Sequence, residues 1–326
     1  MKNMDSNVVN SLSDFIDIFK VSMKSAFEEP NIRLYFRGEN ADFGDTTCLP
    51  SIFREKLRTL DIKNIEQDIY YRFLRRYPEE FVNMSNLDVL TKMQHFGVPT
   101  RLLDITTNPL VALFFSCYSS SDDYSRDGFF YAFKADKTNI LTFDSDKALL
   151  LSTFPKVNFK VLRDIEEYIE CNSRIPITPK IIDDNDEALI GVKINNDIRY
   201  SLRKYIYECE RERSAFHKNH RVNPQHLIQI YYVKPQFFNI RMKLQNSLFM
   251  LFGVSHSPSL QDVNHYKNKI DQKNLIVFRV PHDLKKKTLS ELKFIAGISY
   301  SSLFGDLTSA LKENKNSLYH DFIDRK

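Results

Sequence analysis

Residues 94–115 read QHFGVPTRLLDITTNPLVALFF, and this stretch decides how the rest of the sequence is interpreted. The apolar run Arg101–Ile105 predicts a short buried strand. Asn108 followed by Pro109 predicts a helix start, because asparagine accepts from free backbone amides and proline suits the first helical turn. The aromatic run Phe129–Phe133 predicts a second strand. The segment therefore predicts a strand, a helix and a strand in that order.

Hydrophobic periodicity predicts further elements on both sides of this segment. Most strands come from the two ends of the chain and most helices from its centre, and no internal repeat is visible. This arrangement predicts an α+β fold rather than a repeating βαβ fold. The further predicted helices are Leu12–Phe27, Pro50–Arg58, Asn64–Phe81, Asn86–His95, Leu284–Phe294 and one from Asp306, and the further strands are Ile32–Phe36, Leu227–Val233, Leu248–Phe252 and Leu275–Val280.

The chain is expected to form one large domain with short additions at its ends. Residues 1–30 are expected to hold a helix packed on the domain, residues 31–312 the domain itself, and residues 313–326 a tail. A mainly helical insertion, rich in charged residues, is expected at about 144–225. A chain of 326 residues is long enough to build a core of that size.

Composition narrows the classes of function. The formal net charge of +4 permits a phosphate-bearing partner without demanding one. The four cysteines are not paired at CxxC spacing, so no metal site is predicted. Neither a secretory signal nor a membrane span is visible, so a cytoplasmic protein is expected. The sequence also lacks a Walker-type phosphate loop, a nucleophile elbow and a catalytic Cys–His signature.

Phe36, Arg37, Gly38 and Glu39 form the first group of residues that could carry chemistry, at the end of a predicted strand. A guanidinium next to a glycine can hold a phosphate bidentately while the backbone comes close. Glu39 could fix the arginine side chain. The alternative is an ordinary strand-to-turn junction with a surface salt bridge, and composition alone favours that alternative.

Asp104 and His95 are the candidates for charge and proton chemistry within residues 94–115. Asp104 stands among apolar neighbours, so we expect a buried carboxylate that needs Arg101, Arg37 or His95 as its partner. His95 stands beside a Gly-x-Pro turn and could act as a general acid or base. A lone histidine more often bonds the backbone, and that structural role is the alternative.

Thr106, Thr107 and Asn108 precede the helix that is predicted to begin at Pro109. Free amides at a helix N-terminus attract phosphate or carboxylate groups, which makes this a candidate anion site. The alternative is a plain N-cap, in which the side chain of Asn108 satisfies those amides itself.

Arg72, Arg75 and Arg76 lie on one face of a predicted helix, because their spacing is i, i+3, i+4. This basic face is a candidate contact for nucleic acid, although runs of charge are usually solvated surface. The run Lys285–Lys287 is expected to be a solvated helix start. Gln245 opens a predicted strand and could face a cleft.

These residues together resemble the FRG-domain family. Phe36-Arg37-Gly38 is similar to the motif that names the family, and residues 94–115 follow its longest signature, with Ile105 where the family often has Trp. Gln245–Phe249 is similar to a Gln-Gln-Gly-x-Phe element, from which it departs at two positions. A C-terminal Leu-Phe-Pro-Asp-Leu element is matched at residues 303–307 with Gly305 in place of Pro. The resemblance spans about residues 30 to 312.

The resemblance implies a distant relationship to the ADP-ribosyltransferases. It implies a split, mixed or antiparallel sheet with flanking helices, and NAD as a substrate without a metal. It also implies a toxin–antitoxin or anti-phage defence setting, with an antitoxin as a partner. The mild positive charge and the basic face at Arg72 favour nucleic acid, RNA in particular, over protein as the acceptor. On the basis of the resemblance, Arg37, His95, Asp104 and Gln245 are expected to be catalytic, and Phe36, Arg37, Gly38, Thr100, Arg101, Thr106 and Asn108 to bind NAD.

Gln245 stands where the superfamily usually has a catalytic glutamate. Glutamine cannot act as a general base, so acceptor activation would fall to His95, Asp104 or Glu39, or to an acceptor that is already nucleophilic. Two other functions stay open. One is a nucleotide-binding interaction module without catalysis, and the other is a hydrolase that consumes NAD.

Overall fold

The computed structural model of this chain describes residues 7–54, 62–183, 194–216, 221–237, 239–254 and 275–305. Within these ranges one mixed sheet forms the centre of the molecule, with helices packed on it, which confirms the α+β prediction. None of the described helices is both long enough and apolar enough to cross a bilayer. The strands are β1 (Ile32–Glu39), β2 (Leu102–Thr106), β3 (Gly128–Asp136), β4 (Ile140–Thr142), β5 (Ile230–Lys234), β6 (Ser247–Phe252) and β7 (Leu275–Val280).

The strand order across the sheet is β4-β5-β6-β2-β1-β3-β7. All neighbours are antiparallel except β4 and β5, which are parallel. Most neighbouring pairs are in register over several residues, but β1 and β2 share only the pair Phe36 and Thr106. The sheet is therefore split at its middle, between a half built on β1 and a half built on β2.

Helices cover one face of this sheet in two separate groups. The first group packs on β1, β3 and β7 around Phe36 and Phe130, and the second packs on β2, β5 and β6 around Leu102 and Phe249. The helices are α1 (Leu12–Glu28), α2 (Ile62–Arg76), α3 (Asn86–His95), α4 (Pro109–Cys117), α5 (Asp146–Ser152), α6 (Phe159–Cys171), α7 (Pro179–Asp183), α8 (Asn196–Glu212), α9 (Pro224–Leu227), α10 (Ile240–Leu244), α11 (Lys285–Ala296) and α12 (Tyr300–Phe304).

The opposite face of the sheet buries a third core cluster, which includes Tyr35, Leu103 and Met250 together with Cys48 and Leu49. Because side chains alternate along a strand, the residues between these belong to the face that the helices cover. On β2 and β6 those residues include Asp104, which lies between the two helix groups. The fold thus places a carboxylate beside the gap that the split sheet leaves.

The strands predicted over Ile32–Phe36 and Phe129–Phe133 continue to Glu39 and Asp136, so Arg37 and Gly38 lie within β1, and three further elements differ more. The helix predicted over Asn64–Phe81 ends at Arg76, because Pro78 cannot continue it, and a short 3-10 turn follows. Only the 3-10 turn Ser51–Phe53 forms where a helix was predicted from Pro50, and residues 55–61 lie outside the described part. The strand predicted from Leu227 begins at Ile230, since Pro224 starts a helical turn instead. The predicted helix from Asp306 and the tail 313–326 also lie outside the described residues.

Candidate functional site

A pocket of about 190 Å³ opens where β1 and β2 separate. Its walls come from the ends of both strands, from α4, and from the segment that carries Gln245 and Ser247. Because an apolar cavity of about 150 Å³ takes up benzene, this pocket has room for one ring-sized group. The predicted residues that line it are Phe36, Arg37, Gly38, Asp104, Thr106 and Gln245.

Arg37 bridges the split in the sheet. Its Nη1 donates to the backbone carbonyl of Asp104 at 2.7 Å, and its Nε donates to Glu39 Oε1 at 2.9 Å. Among the described residues, Nη2 has no hydrogen-bond partner, and 14% of the side chain is exposed at the pocket. Burial works to lower the pKa of Arg37, but the charges of Glu39 and Asp104 outweigh it and raise the pKa. The guanidinium is therefore a fixed cation with one open edge.

Glu39 holds Arg37 from behind, as the sequence predicted. Its side chain is 1% exposed, and its carboxylate also accepts from the backbone amide of Cys48 at 3.3 Å. Arg54 lies 3.8 Å from the same carboxylate, and burial together with the charge of Arg37 lowers the pKa of Arg54. A buried carboxylate with these partners fixes the orientation of the guanidinium, which is what a binding site for an anion needs.

Gly38 has a packing role that the sequence analysis missed. A Cβ atom at this position would lie 1.9 Å from the carbonyl oxygen of Ala112 and 2.4 Å from the amide nitrogen of Ser116. Helix α4 can therefore lie against β1 only because position 38 has no side chain. From the sequence, Gly38 was expected to let a phosphate approach the backbone of β1. In the structure, the backbone of α4 is what comes close to Gly38. Gly38 thus sets the distance between two walls of the pocket.

Asp104 is exposed to the pocket, which corrects the expectation that it is buried. Its Oδ2 accepts from Gln94 Nε2 at 2.7 Å, and its backbone carbonyl, not its carboxylate, meets Arg37. The expectation of burial rested on the apolar residues on either side of Asp104, but those neighbours face the other side of the sheet or the helix groups. The carboxylate is left available beside the guanidinium.

Gln94 and Thr100 support Asp104 from outside the pocket. Thr100 Oγ1 donates to Gln94 Oε1 at 2.6 Å, which orients the amide so that its nitrogen donates to Asp104. Thr100 is 0% exposed, so its predicted contact with NAD is not compatible with the structure. The sequence signature included Gln94, yet nothing in the spacing showed that its side chain would meet a carboxylate ten residues later.

Arg101 does not belong to this pocket, contrary to prediction. It is 3% exposed, its Nε donates to Glu66 Oε1 at 2.8 Å, and its Nη1 donates to the carbonyl of Phe252 at 3.0 Å. The guanidinium also lies over the ring of Phe154 at 4.9 Å. Asp104 lies three positions further along the extended chain, a distance of about 10 Å, and the guanidinium bonds Glu66 instead of Asp104. Arg101 instead joins β2 to the helices of the second group.

Thr106 and Asn108 use their polar groups within the chain. Thr106 Oγ1 donates to the carbonyl of Gln245 at 2.7 Å and accepts from the amide of Asn108 at 3.0 Å. The side chain of Asn108 accepts from the amide of Leu110 at 3.0 Å. This is the N-cap arrangement that the sequence analysis kept as the alternative. The start of α4 is therefore not the anion site that was predicted, although Thr106 still lines the pocket.

Gln245 connects the pocket to the last described helix. Its Nε2 donates to the carbonyl of Leu303 at 3.3 Å, and the residue is 9% exposed. The nearby guanidinium of Arg241 lies over the ring of Phe304 at 4.3 Å and also lines the pocket. Two segments that the family resemblance singled out, at residues 245–249 and 303–305, thus meet at one wall of the pocket. The position of Arg241 was not predicted from the sequence.

His95 is half-buried and near the pocket without lining it. Its pKa is lowered from the ordinary 6.5, first by burial and then by the charge of Arg241, with Asp104 opposing the shift. The imidazole is therefore neutral at pH 7 and able to accept a proton. Because the folded protein disfavours protonated His95, the contribution of this residue to the free energy of unfolding is complete above pH 6.5. It is lost as the pH falls from 6.5 through the lowered pKa.

We expect an NMR titration to place the pKa of His95 below 6.5, and replacement of Arg241 by glutamine to raise it. His226 is a control in the same sample, because burial and Lys147 lower its pKa. Its titration should not respond to the change at Arg241. A pKa of His95 that stays the same in Arg241→Gln would show that the two groups do not interact.

The basic face of α2 is exposed as predicted, but it is not at the pocket. Arg72 pairs with Asp68 at 3.1 Å on the same helix, while Arg75 and Arg76 are exposed.

Lys285, at the start of α11, contradicts the prediction of a solvated helix start. It is 0% exposed, and its Nζ donates to the carbonyl of Asn40 at 2.6 Å. Burial lowers the pKa of Lys285.

Comparison with known proteins supports the resemblance that the sequence suggested. The family model of the FRG domain matches residues 32–125, which hold β1, β2, α2, α3 and α4. No curated protein and no solved structure matches the chain. The matched stretch supplies Arg37, Gly38 and Asp104, while the wall around Gln245 lies beyond it. The relationship to ADP-ribosyltransferases stays a prediction.

Proposed function

We propose that this chain is an NAD-dependent ADP-ribosyltransferase whose pocket at the split of the sheet takes the nicotinamide end of NAD. One observation carries the proposal: Arg37, fixed by Glu39 and by the carbonyl of Asp104, presents an open edge to a ring-sized pocket beside the exposed carboxylate of Asp104. A fixed cation and a carboxylate next to a ring-sized space suit a substrate that combines an aromatic ring, a ribose and phosphates.

The size of the pocket argues for a partial fit rather than for burial of the whole dinucleotide. A volume of about 190 Å³ lies below the range usual for drug-sized ligands, about 300–1,000 Å³. Phe36, Val111 and Phe115 supply apolar surface for a ring. The diphosphate would then lie outside, within reach of the cations Arg37 and Arg241. In this arrangement the nicotinamide ring, whose bond to the ribose breaks, occupies the pocket itself.

The proposed reaction breaks the bond between nicotinamide and C1′ of the ribose, and the bonding electrons leave with the ring nitrogen. Positive charge then develops on the ribose, so a carboxylate at that point stabilises the transition state more than the ground state. Asp104 is assigned this task, because Gln94 holds its carboxylate at 2.7 Å without neutralising it. The acceptor forms the new bond to C1′ and gives up its proton, and neutral His95 is the group assigned to receive it.

A nucleic-acid acceptor, RNA in particular, is proposed over a protein. Gln245 has no carboxylate and its amide nitrogen donates to Leu303, so the wall around it favours an acceptor that is already nucleophilic, such as a nucleobase amine. We further propose that the protein acts as a toxin in a toxin–antitoxin or anti-phage defence system, and that a partner antitoxin restrains it. The support for this proposal is the FRG resemblance of residues 32–125.

The lack of a carboxylate at Gln245 also favours a second candidate function, in which the pocket binds a nucleotide without catalysing a reaction. The two candidates differ in a direct way, because only the enzyme releases nicotinamide. Free ADP-ribose formed in the absence of any acceptor would instead identify a hydrolase.

We expect Asp104→Asn to lower kcat for release of labelled nicotinamide about 100-fold, while KM for NAD changes only a few-fold. The amide keeps the shape of the side chain but loses the charge that the transition state requires. Asp68→Asn is the matched control, because Asp68 is 64% exposed and pairs with Arg72 on the surface of α2. Equal rates for Asp104→Asn and the wild-type protein would exclude the assigned role, and absence of any nicotinamide release from the wild type would exclude the enzyme.

A further inference from the structure

A second and larger cavity, of about 580 Å³, lies at the beginning of β1. Arg33, Tyr35, Thr107, Lys137 and Lys234 are among the residues that line it. No role for this cavity follows from the FRG resemblance or from the proposed chemistry. It is large enough to take a whole nucleotide unit rather than a single phosphate.

Three cations dominate this cavity. Arg33, Lys137 and Lys234 are all exposed, and among the residues that the structure describes none of them has a carboxylate within salt-bridge distance. None of the described residues that line the cavity is acidic. Unpaired cations around a concave surface repel one another and concentrate the field, so the cavity attracts anions.

Arg33 is held in place by its own backbone surroundings. Its Nη1 donates to the carbonyls of Ile32 at 2.8 Å and Pro30 at 3.3 Å, while its other nitrogens have no partner among the described residues. The guanidinium is thus fixed at one end and open at the other. A guanidinium held in this way can meet a phosphate with little further loss of side-chain freedom.

The floor of the cavity is aromatic and apolar. Tyr35 is 3% exposed and its ring stacks on that of Tyr232, with centroids 5.2 Å apart. Leu34 and Ile140 are half-buried beside it. Burial raises the pKa of Tyr35, and the charge of Arg33 opposes the shift. An apolar floor below a cationic rim suits a base and sugar below their phosphates.

We propose that this cavity binds single-stranded nucleic acid, with phosphates held by Arg33, Lys137 and Lys234 and a nucleoside placed over the floor at Tyr35. A paired base in a duplex cannot enter a cavity, whereas an unpaired nucleotide can turn into it. An isolated small anion would use the rim but leave the apolar floor uncovered. The arrangement of charge outside and aromatic surface inside therefore favours the strand.

The two cavities are neighbours along the split sheet. Phe36 and Thr106 line the pocket at Arg37, while Tyr35 and Thr107, the adjacent residues, line the cationic cavity. Because side chains alternate along a strand, however, Tyr35 faces the opposite side of the sheet from Phe36, so the floor of the cationic cavity and the pocket at Arg37 lie on different faces of the sheet. Binding of a strand in this cavity therefore does not depend on the proposed function.

The test measures the affinity of a fluorescent single-stranded RNA for the full chain in the absence of NAD, over a range of salt concentrations. Arg33→Gln, Lys137→Gln and Lys234→Gln combined should weaken binding at least about 10-fold and reduce the slope of log K against log salt by about 2, because each phosphate contact contributes about 0.7. The matched control removes one arginine and two lysines elsewhere on the surface, with Arg126→Gln, Lys20→Gln and Lys24→Gln combined. It should change neither quantity appreciably.

Three outcomes would overturn the proposal. The first is that RNA does not bind the wild-type protein, and the second is that the control variant loses binding while the cavity variant does not. The third is that a duplex of the same sequence binds equally well. Thermal unfolding should show that both variants remain folded, because all six substituted side chains are exposed on the surface. Since NAD is absent, failure here leaves the assignment of Arg37 untouched, and failure of nicotinamide release leaves this result untouched.

Discussion

Replacing Arg37 by lysine is expected to lower kcat/KM for nicotinamide release about 100-fold or more. Lysine keeps the positive charge but has one nitrogen, which cannot donate to Glu39, to the carbonyl of Asp104 and to the substrate in fixed directions. The native guanidinium makes the first two contacts at 2.9 and 2.7 Å and has Nη2 left over. The loss should therefore appear although the net charge is unchanged. Steady-state release of labelled nicotinamide measures it.

Arg54→Lys is the matched control for this change. Arg54 lies 3.8 Å from the same Glu39 carboxylate but does not line the pocket. We expect a change in kcat/KM of less than about 3-fold, which is the scale of a partly exposed ion pair. If Arg37→Lys and Arg54→Lys had equal effects, charge near Glu39 would matter and the open edge of Arg37 would not.

Gly38→Ala is expected to lower the free energy of unfolding by about 3 kcal/mol or more, the upper part of the range for overpacking. The added methyl group would lie 1.9 Å from the carbonyl oxygen of Ala112, and backbone cannot rotate away as a side chain can. Helix α4 would have to move off β1, which would also widen the pocket. Denaturant unfolding followed by circular dichroism measures the change.

Gly97→Ala separates this packing effect from the conformational preference of glycine. Gly97 has φ +75°, and nothing lies within 4 Å of where its Cβ would be. The expected cost is therefore only about 1 kcal/mol, from placing a side chain in the left-handed region. A Gly38→Ala variant no less stable than Gly97→Ala would contradict the close approach of α4 to β1.

Local signals in the sequence were sufficient for much of the fold. The helix Asn86–His95 was predicted with its observed ends, because Gly97 and Pro99 stop it, and the structure adds a capping box of Ser85 and Asp88 at its start. The strands at Leu248 and Leu275 were also located correctly. The short strand β4 was missed, since three residues carry too little periodicity to be recognised. The split between β1 and β2 depends on a single backbone pair, which no local pattern encodes.

The pocket was predicted in part, and the errors concern where side chains point. The sequence placed both Arg37 and Arg101 at the ends of predicted strands, but only contacts with other parts of the chain decide their roles. Glu39 is two residues from Arg37, so that pairing could be anticipated, whereas Glu66 is 35 residues from Arg101. For the same reason the burial of Lys285 was not foreseen, because its partner is the carbonyl of Asn40.

The most direct measurement is a crystal structure of the chain with NAD. The account predicts the nicotinamide ring between β1 and α4, with Nη2 of Arg37 donating to the ribose or diphosphate and the carboxylate of Asp104 next to C1′. NAD bound elsewhere on the chain, or a pocket at Arg37 that stays without ligand at saturating NAD, would contradict it.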